Sequence, residues 1–245
     1  MTTLPPEDDA DTPPDVDAEL LADAQLLVIT KAPVPGRSKT RLTPPCTPLQ
    51  ASRIAEAAVG DTLDAVRATP VGRRVVALDG DPGALDLSGC DVVPQVEGDL
   101  GTRLAAAFAA AMPGDDPAAT LLIGMDTPQV TPDLLADCLD QLLSAGPGTA
   151  VLGGAPDGGW WALGVHSPGA AAVLPAVPMS RDDTAALTRA ALERAGLEVL
   201  DLPVLTDVDH FPDALAVARL CPPGSRTHRV VGEVAAELAD GAGPG

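Results

Sequence analysis

The sequence of 245 residues has no tyrosine, two phenylalanines, two tryptophans and two lysines. Each scarcity excludes something. Single-strand nucleic-acid binders stack bases on aromatic side chains, and this chain offers almost none. Duplex binders need a basic surface, yet the formal net charge is -20. Nucleic acid is therefore not an expected partner. No apolar run approaches the roughly 18 residues that a membrane helix needs, so no membrane association is expected. The four cysteines (Cys46, Cys90, Cys138, Cys221) are far apart and form no Cys-x-x-Cys pair. They read as reduced thiols of a cytoplasmic protein, not as a zinc site or disulfide frame.

What is present is an apolar content of 46%, enough to exclude general disorder and to build one substantial core. Residues 1–24 depart from this. They carry eight acids, no base and several prolines, and are expected to be a disordered acidic leader without a secretory signal. A single folded domain is expected over 25–221, followed by a C-terminal tail at 222–245, part helical.

Short apolar runs alternate with longer helical patterns. Strands are expected at 25–30, 73–78, 91–95, 120–126, 149–154, 160–165 and 197–202. Helices are expected at 49–68, 101–112, 131–145, 180–196 and 211–220. Thr131 is placed to cap its helix, with Pro132 at the first helical position. The alternation predicts an α/β fold, a single domain with a mostly parallel open sheet and helices on both faces. Runs such as "LLVIT" and "TLLIG" are apolar throughout, as strands covered on both faces should be. Ligands of such folds bind beyond the carboxyl ends of the strands.

Both lysines, Lys31 and Lys39, fall in "TKAPVPGRSKTRL", directly after the first strand and beside Arg37 and Arg41. Thirteen of the fifteen bases are arginine, so two lysines here are not compositional drift. The cations could clamp phosphates, with the bare backbone of Gly36 approaching closely. The plain alternative is a solvated loop. "PGRSKT" lacks the glycines of a Walker phosphate loop. Asp126, ending a strand in "GMDTP", suits a Mg²⁺ ligand, since hard cations take carboxylate oxygens. Asp207 and Asp209 in "LTDVDHF" share a side if extended, and one could complete the metal site. "APDGGWW" (155–161) reads either as a simple hairpin or as Asp157 and glycine backbone bounding an acceptor pocket, with a tryptophan such as Trp160 facing the ligand. Arg103, at the start of the helix in "EGDLGTRL", could face an anion.

Taken in order, "KAPVPGRSKTRL", "EGDLGTRL", "GMDTP", "APDGGWWALGV" and "LTDVDHFPDAL" resemble a family of glycosyltransferases with the glycosyltransferase-A (nucleotide-diphospho-sugar transferase-like) fold. The family is the radical-SAM/selenodomain-associated transferase 1 type, and the likeness covers roughly residues 25–220. The chain is also similar to 2-phospholactate guanylyltransferase. The resemblance implies Lys31, Gly36, Lys39 and Arg41 on nucleotide phosphates, and Asp126 with Asp209 on Mg²⁺ or Mn²⁺. It places Asp157, Gly158 and Gly159 on the acceptor side. Three features depart from the family pattern: tryptophans where it has tyrosine, "PMSRDDT" in place of a Trp-Ser-Thr-like segment, and His210 where threonine is common.

The expected activity is Mg²⁺-dependent nucleotidyl transfer from a nucleoside triphosphate to a small phosphorylated acceptor, with Lys39, Arg41 and Asp126 as the catalytic set. Glycosyl transfer from a nucleotide sugar is the alternative, and a catalytically silent nucleotide-binding protein the third reading.

Overall fold

A computed structural model describes residues 21–114 and 118–241. Fully apolar runs became the inner strands. β1 (Ala24–Lys31), β2 (Arg73–Asp79), β3 (Asp91–Pro94), β4 (Ala119–Gly124), β5 (Thr149–Gly154), β6 (Trp160–Val165) and β7 (Glu198–Leu202) form one sheet, in the order β3-β2-β1-β4-β6-β5-β7. All neighbours pair parallel except β6, which runs antiparallel to both β4 and β5. β1, β2, β4 and β5 therefore end along the same edge of the sheet.

The helices are α1 (Pro48–Ala68), α2 (Leu100–Ala111), α3 (Pro132–Ala145), α4 (Pro168–Ala171), α5 (Thr184–Arg194), α6 (Phe211–Leu220) and α7 (Arg226–Gly241). Their starts follow capping chemistry. Thr131 Oγ1 accepts from Leu134 N at 3.1 Å, with Pro132 at the first helical position. Thr47 and Gln50 form a capping box ahead of α1.

Side chains alternate across each strand, so one strand feeds two cores. Leu26, Val28, Leu121 and Ile123 point into a cluster closed by Leu63 and Val66 of α1 and Leu135 and Leu139 of α3. Leu27, Val75 and Leu122 point the other way, against Leu104 and Phe108 of α2 and Leu192 of α5. A third cluster joins Ile54 of α1, Val217 of α6 and Val231 and Val234 of α7. The domain thus continues past residue 221, because α7 buries its apolar face on α1 and α6. At the other end, Leu21–Asp23 form a 3-10 turn with Leu21 buried, and β1 begins at Ala24. The rest of the expected leader lies outside the described residues.

One helix starts later than expected. The pattern over 180–196 suggests continuous helix, but α5 begins at Thr184. Ser180 holds a left-handed φ of 59°, which no helix accommodates. Among the described residues, no helix is long and apolar enough to cross a membrane.

Candidate active site

The loop after β1 is built around a serine. Ser38 Oγ donates to Ala32 O at 2.8 Å and accepts from Val34 N at 3.1 Å, folding residues 32–38 back on themselves. The next residue, Lys39, has a left-handed φ of 50°. Such a backbone costs a non-glycine residue about 1–3 kcal/mol and persists where surrounding contacts over-determine it. Those contacts are visible: Lys39 Nζ donates to Val208 O and lies 2.6 Å from Asp126 Oδ1, leaving its side chain 7% exposed. Asp126 Oδ1 is buried and has no aligned hydrogen-bond donor, so its bond to Lys39 is an ion pair by distance alone. A backbone hydrogen bond from Val208 N to Asp126 O, at 2.9 Å, ties the late loop to the end of β4.

Other bases of the site are also matched to acids. Arg41 Nη1 is 2.5 Å from Asp209 Oδ2. Lys31 Nζ is 4.0 Å and Arg103 Nη1 3.8 Å from Asp79 Oδ2. Arg103 also donates to Gln95 Oε1 at 3.2 Å, while its buried Nε has no partner. The Gln95 amide is already spent on the carbonyls of Thr30 and Ala77.

Asp157, Asp207 and Asp209 form a separate acidic cluster, with one oxygen from each lying within 4.8 Å of the others. Burial, then the negative charge of Asp157, pushes the Asp207 carboxyl up to about 6. Three crowded carboxylates, of which Asp209 is paired with Arg41, offer hard oxygen donors throughout and fit Mg²⁺ or Mn²⁺. Asp157, expected on the acceptor side, thus reaches the late aspartates, whereas Asp126 is held by Lys39.

These side chains line one cleft of about 680 Å³ across the ends of β1, β4 and β5. It brings together Lys31, Arg37, Lys39, Arg41, Arg103, Asp126, Asp157, Gly159, Trp160, Asp207 and Asp209. Gly36 and Gly158 are not among its lining residues. Gly36 is exposed, and its φ of 74° suits glycine in the turn. Gly158 serves packing: its φ is 87°, and an added Cβ would lie 1.8 Å from Asp182 O. Asp157 Oδ1 accepts from Gly159 N at 2.8 Å, closing the hairpin between β5 and β6. Trp160 Nε1 donates to Thr188 Oγ1 at 3.1 Å, anchoring that ring to α5. The sequence reading gave no role to Arg181 or to the left-handed Ser180, both of which line the cleft. The only trace in the sequence was the departure at "PMSRDDT".

Comparisons with known proteins agree on the architecture. A crystal structure from Desulfovibrio desulfuricans G20, named for a nucleotide-diphospho-sugar transferase, is 25% identical with a TM-score of 0.77. The match covers 89% of this chain and 98% of that one. Rv0371c from Mycobacterium tuberculosis H37Rv is 23% identical, with a TM-score of 0.53, over 80% of this chain and 98% of that one. A nucleotidyl transferase from Methanothermobacter thermautotrophicus is 19% identical, with a TM-score of 0.53, over 79% and 95%. The last two show the fold alone. No curated protein matches the sequence. The chain has the nucleotide-diphospho-sugar transferase fold, and its residues 62–181 match DUF2064, described as an uncharacterized protein family conserved in bacteria.

Proposed function

We propose that this protein transfers a nucleotidyl group from a nucleoside triphosphate to a small phosphorylated acceptor. The observation that carries this reading is the convergence of scarce cations and carboxylates in one cleft, with a strained, buried Lys39 against Asp126. Unliganded, the bases of the β1 side neutralise the acids of the site. A bound Mg²⁺ or Mn²⁺ would supply the charge that lets phosphate oxygens approach those acids, with Asp157, Asp207, Asp209 and Asp126 as the oxygens available to hold it.

The chain's own residues then have definite tasks. Lys31 and Arg103 offer charge to the donor phosphates. Lys39 and Arg41, released from their carboxylates, offset the charge that gathers on the departing pyrophosphate. The acceptor phosphate oxygen bonds to the α-phosphorus as the bond from that phosphorus to the bridging oxygen breaks. Positioning and electrostatics supply most of the catalysis in such transfers, so no dedicated general base is required.

A second reading is glycosyl transfer from a nucleotide sugar, favoured by the likeness to the Desulfovibrio structure. Against it, the turn after β4 carries a single aspartate, Asp126, followed by Thr-Pro in place of an Asp-x-Asp.

A thermal-shift screen of nucleoside triphosphates and nucleotide sugars, with and without Mg²⁺, tests the proposal. A binding donor raises the melting temperature by mass action. The proposal expects a triphosphate to do so, more strongly with metal. A response confined to nucleotide sugars would replace it with the second reading.

A further inference from the structure

The side of the cleft formed by the β5–β6 hairpin carries its own cation, and nothing in the donor chemistry uses it. We propose that Arg181 grips an anionic group, a phosphate or a carboxylate, on the acceptor. This rests on the reading that the hairpin side receives the acceptor.

The guanidinium is held in place yet has donors to spare. Its Nε donates to Asp183 Oδ1 at 2.8 Å and its Nη2 to Asp183 Oδ2 at 3.1 Å. A guanidinium has five N–H donors, so this fork fixes its plane and leaves three, including both on Nη1.

The turn that presents it is closely wired. The hydroxyl of buried Thr184 accepts from Arg181 N at 3.0 Å and donates to Pro178 O at 3.2 Å. Ser180, one residue before, is forced to a φ of 59°. Strain of this kind gathers where a structure holds a side chain for use. Two further contacts lock the turn to the hairpin. Ala185 N donates to Gly158 O at 2.8 Å, and Gly158 leaves room for Asp182 O.

The charges point the same way. Asp157, Asp182 and Asp207 also line this side, so an anionic acceptor needs a cation there. The other lysines and arginines among the described cleft-lining residues lie at the end of β1, in the loop after it or, for Arg103, on α2. Arg181 alone serves the hairpin side.

The test uses the full chain and its tryptophan fluorescence, since Trp160 and Trp161 both line the cleft in a protein without tyrosine. Probes are 2-phosphoglycolate, glycerol 3-phosphate, glycolate and glycerol. At least one anionic probe should shift the emission saturably while glycerol does not, and which one responds distinguishes phosphate from carboxylate recognition. Arg181→Ala should weaken that binding at least tenfold and Arg181→Lys should recover part of it. Arg219→Ala, exposed on α6, should match wild type. Triphosphate-induced thermal shifts should be unchanged in Arg181→Ala. No response to any anion, or equal binding by Arg181→Ala, overturns the proposal. So does a parallel loss of triphosphate binding, which would assign Arg181 to the donor. If wild type ignores triphosphates but binds an anion through Arg181, the nucleotidyl reading fails and this inference stands.

Discussion

The two sides of the cleft carry their cations differently. On the β1 side, Lys39 and Arg41 are bound to Asp126 and Asp209. Lys39, nearly buried against Asp126 and Val208 O, becomes available only when that carboxylate finds another partner. On the hairpin side, Arg181 is braced by Asp183 in its own turn and keeps free donors. Donor binding should therefore depend on metal more strongly than acceptor binding does. An exchange of ion-pair partners is built into one wall, and a fixed grip into the other.

The largest blow to this contrast should come from Lys39→Ala. It removes a nearly buried cation, leaving Asp126 uncompensated and Val208 O without its donor. Loss of a main electrostatic donor to a transition state costs about 2–4 kcal/mol. Turnover should fall accordingly, with kcat reduced as well as affinity, and the melting temperature should drop too. Full kcat in this variant would mean that Lys39 is structural only.

Next in size is the acidic cluster. Asp209→Asn removes one carboxylate from the trio and frees Arg41. Titration with Mg²⁺ should then raise triphosphate affinity far less than in wild type. Metal-free affinity should be equal or slightly higher, because Arg41 is no longer engaged. Asp126→Asn should lose the metal response while keeping the fold. If both variants respond to Mg²⁺ as wild type does, the carboxylates do not hold the ion.

Gly158→Ala should act on the hairpin side alone. A residue other than glycine at φ 87° meets strain of about 1–3 kcal/mol, and the new Cβ also collides with Asp182 O. The expected result is a lower melting temperature and weaker acceptor use, with triphosphate binding intact. Equal loss on both sides would show that the walls are coupled. The smallest effect is reserved for Arg67→Ala. Arg67 pairs with Asp64 and Asp86 away from the cleft, and half-exposed pairs of this kind contribute at most about 1 kcal/mol. Its kinetics should match wild type.

The sheet was legible because its central strands carry apolar runs such as "LLVIT" and "TLLIG" and its helices carry their own start signals, such as Thr131-Pro132. The gathering of cations was legible too, since both lysines fall at or just after the end of one buried strand. Long-range contacts were not. No local pattern tells that Asp157 reaches Asp207 and Asp209 across about fifty residues, or that Lys39 closes on Asp126. The turn at Ser180 went unread although Ser180, Asp182, Asp183 and Thr184 favour caps and turns over helix interiors. Its left-handed backbone lies within the turn that Thr184 closes on Arg181 N and Pro178 O. Helix α7 was read too weakly, because its apolar stripe of Val230, Val231 and Val234 is narrow among charged residues.

The central claim is that cations released from carboxylates stabilise a leaving pyrophosphate. It is tested most directly by incubating the wild-type protein with Mg²⁺, α-labelled nucleoside triphosphates and small phosphorylated acceptors. The account predicts pyrophosphate released in step with label joined to the acceptor, with both lost in Lys39→Ala. Release of a nucleoside diphosphate from nucleotide sugars, with no pyrophosphate from any triphosphate, would contradict it.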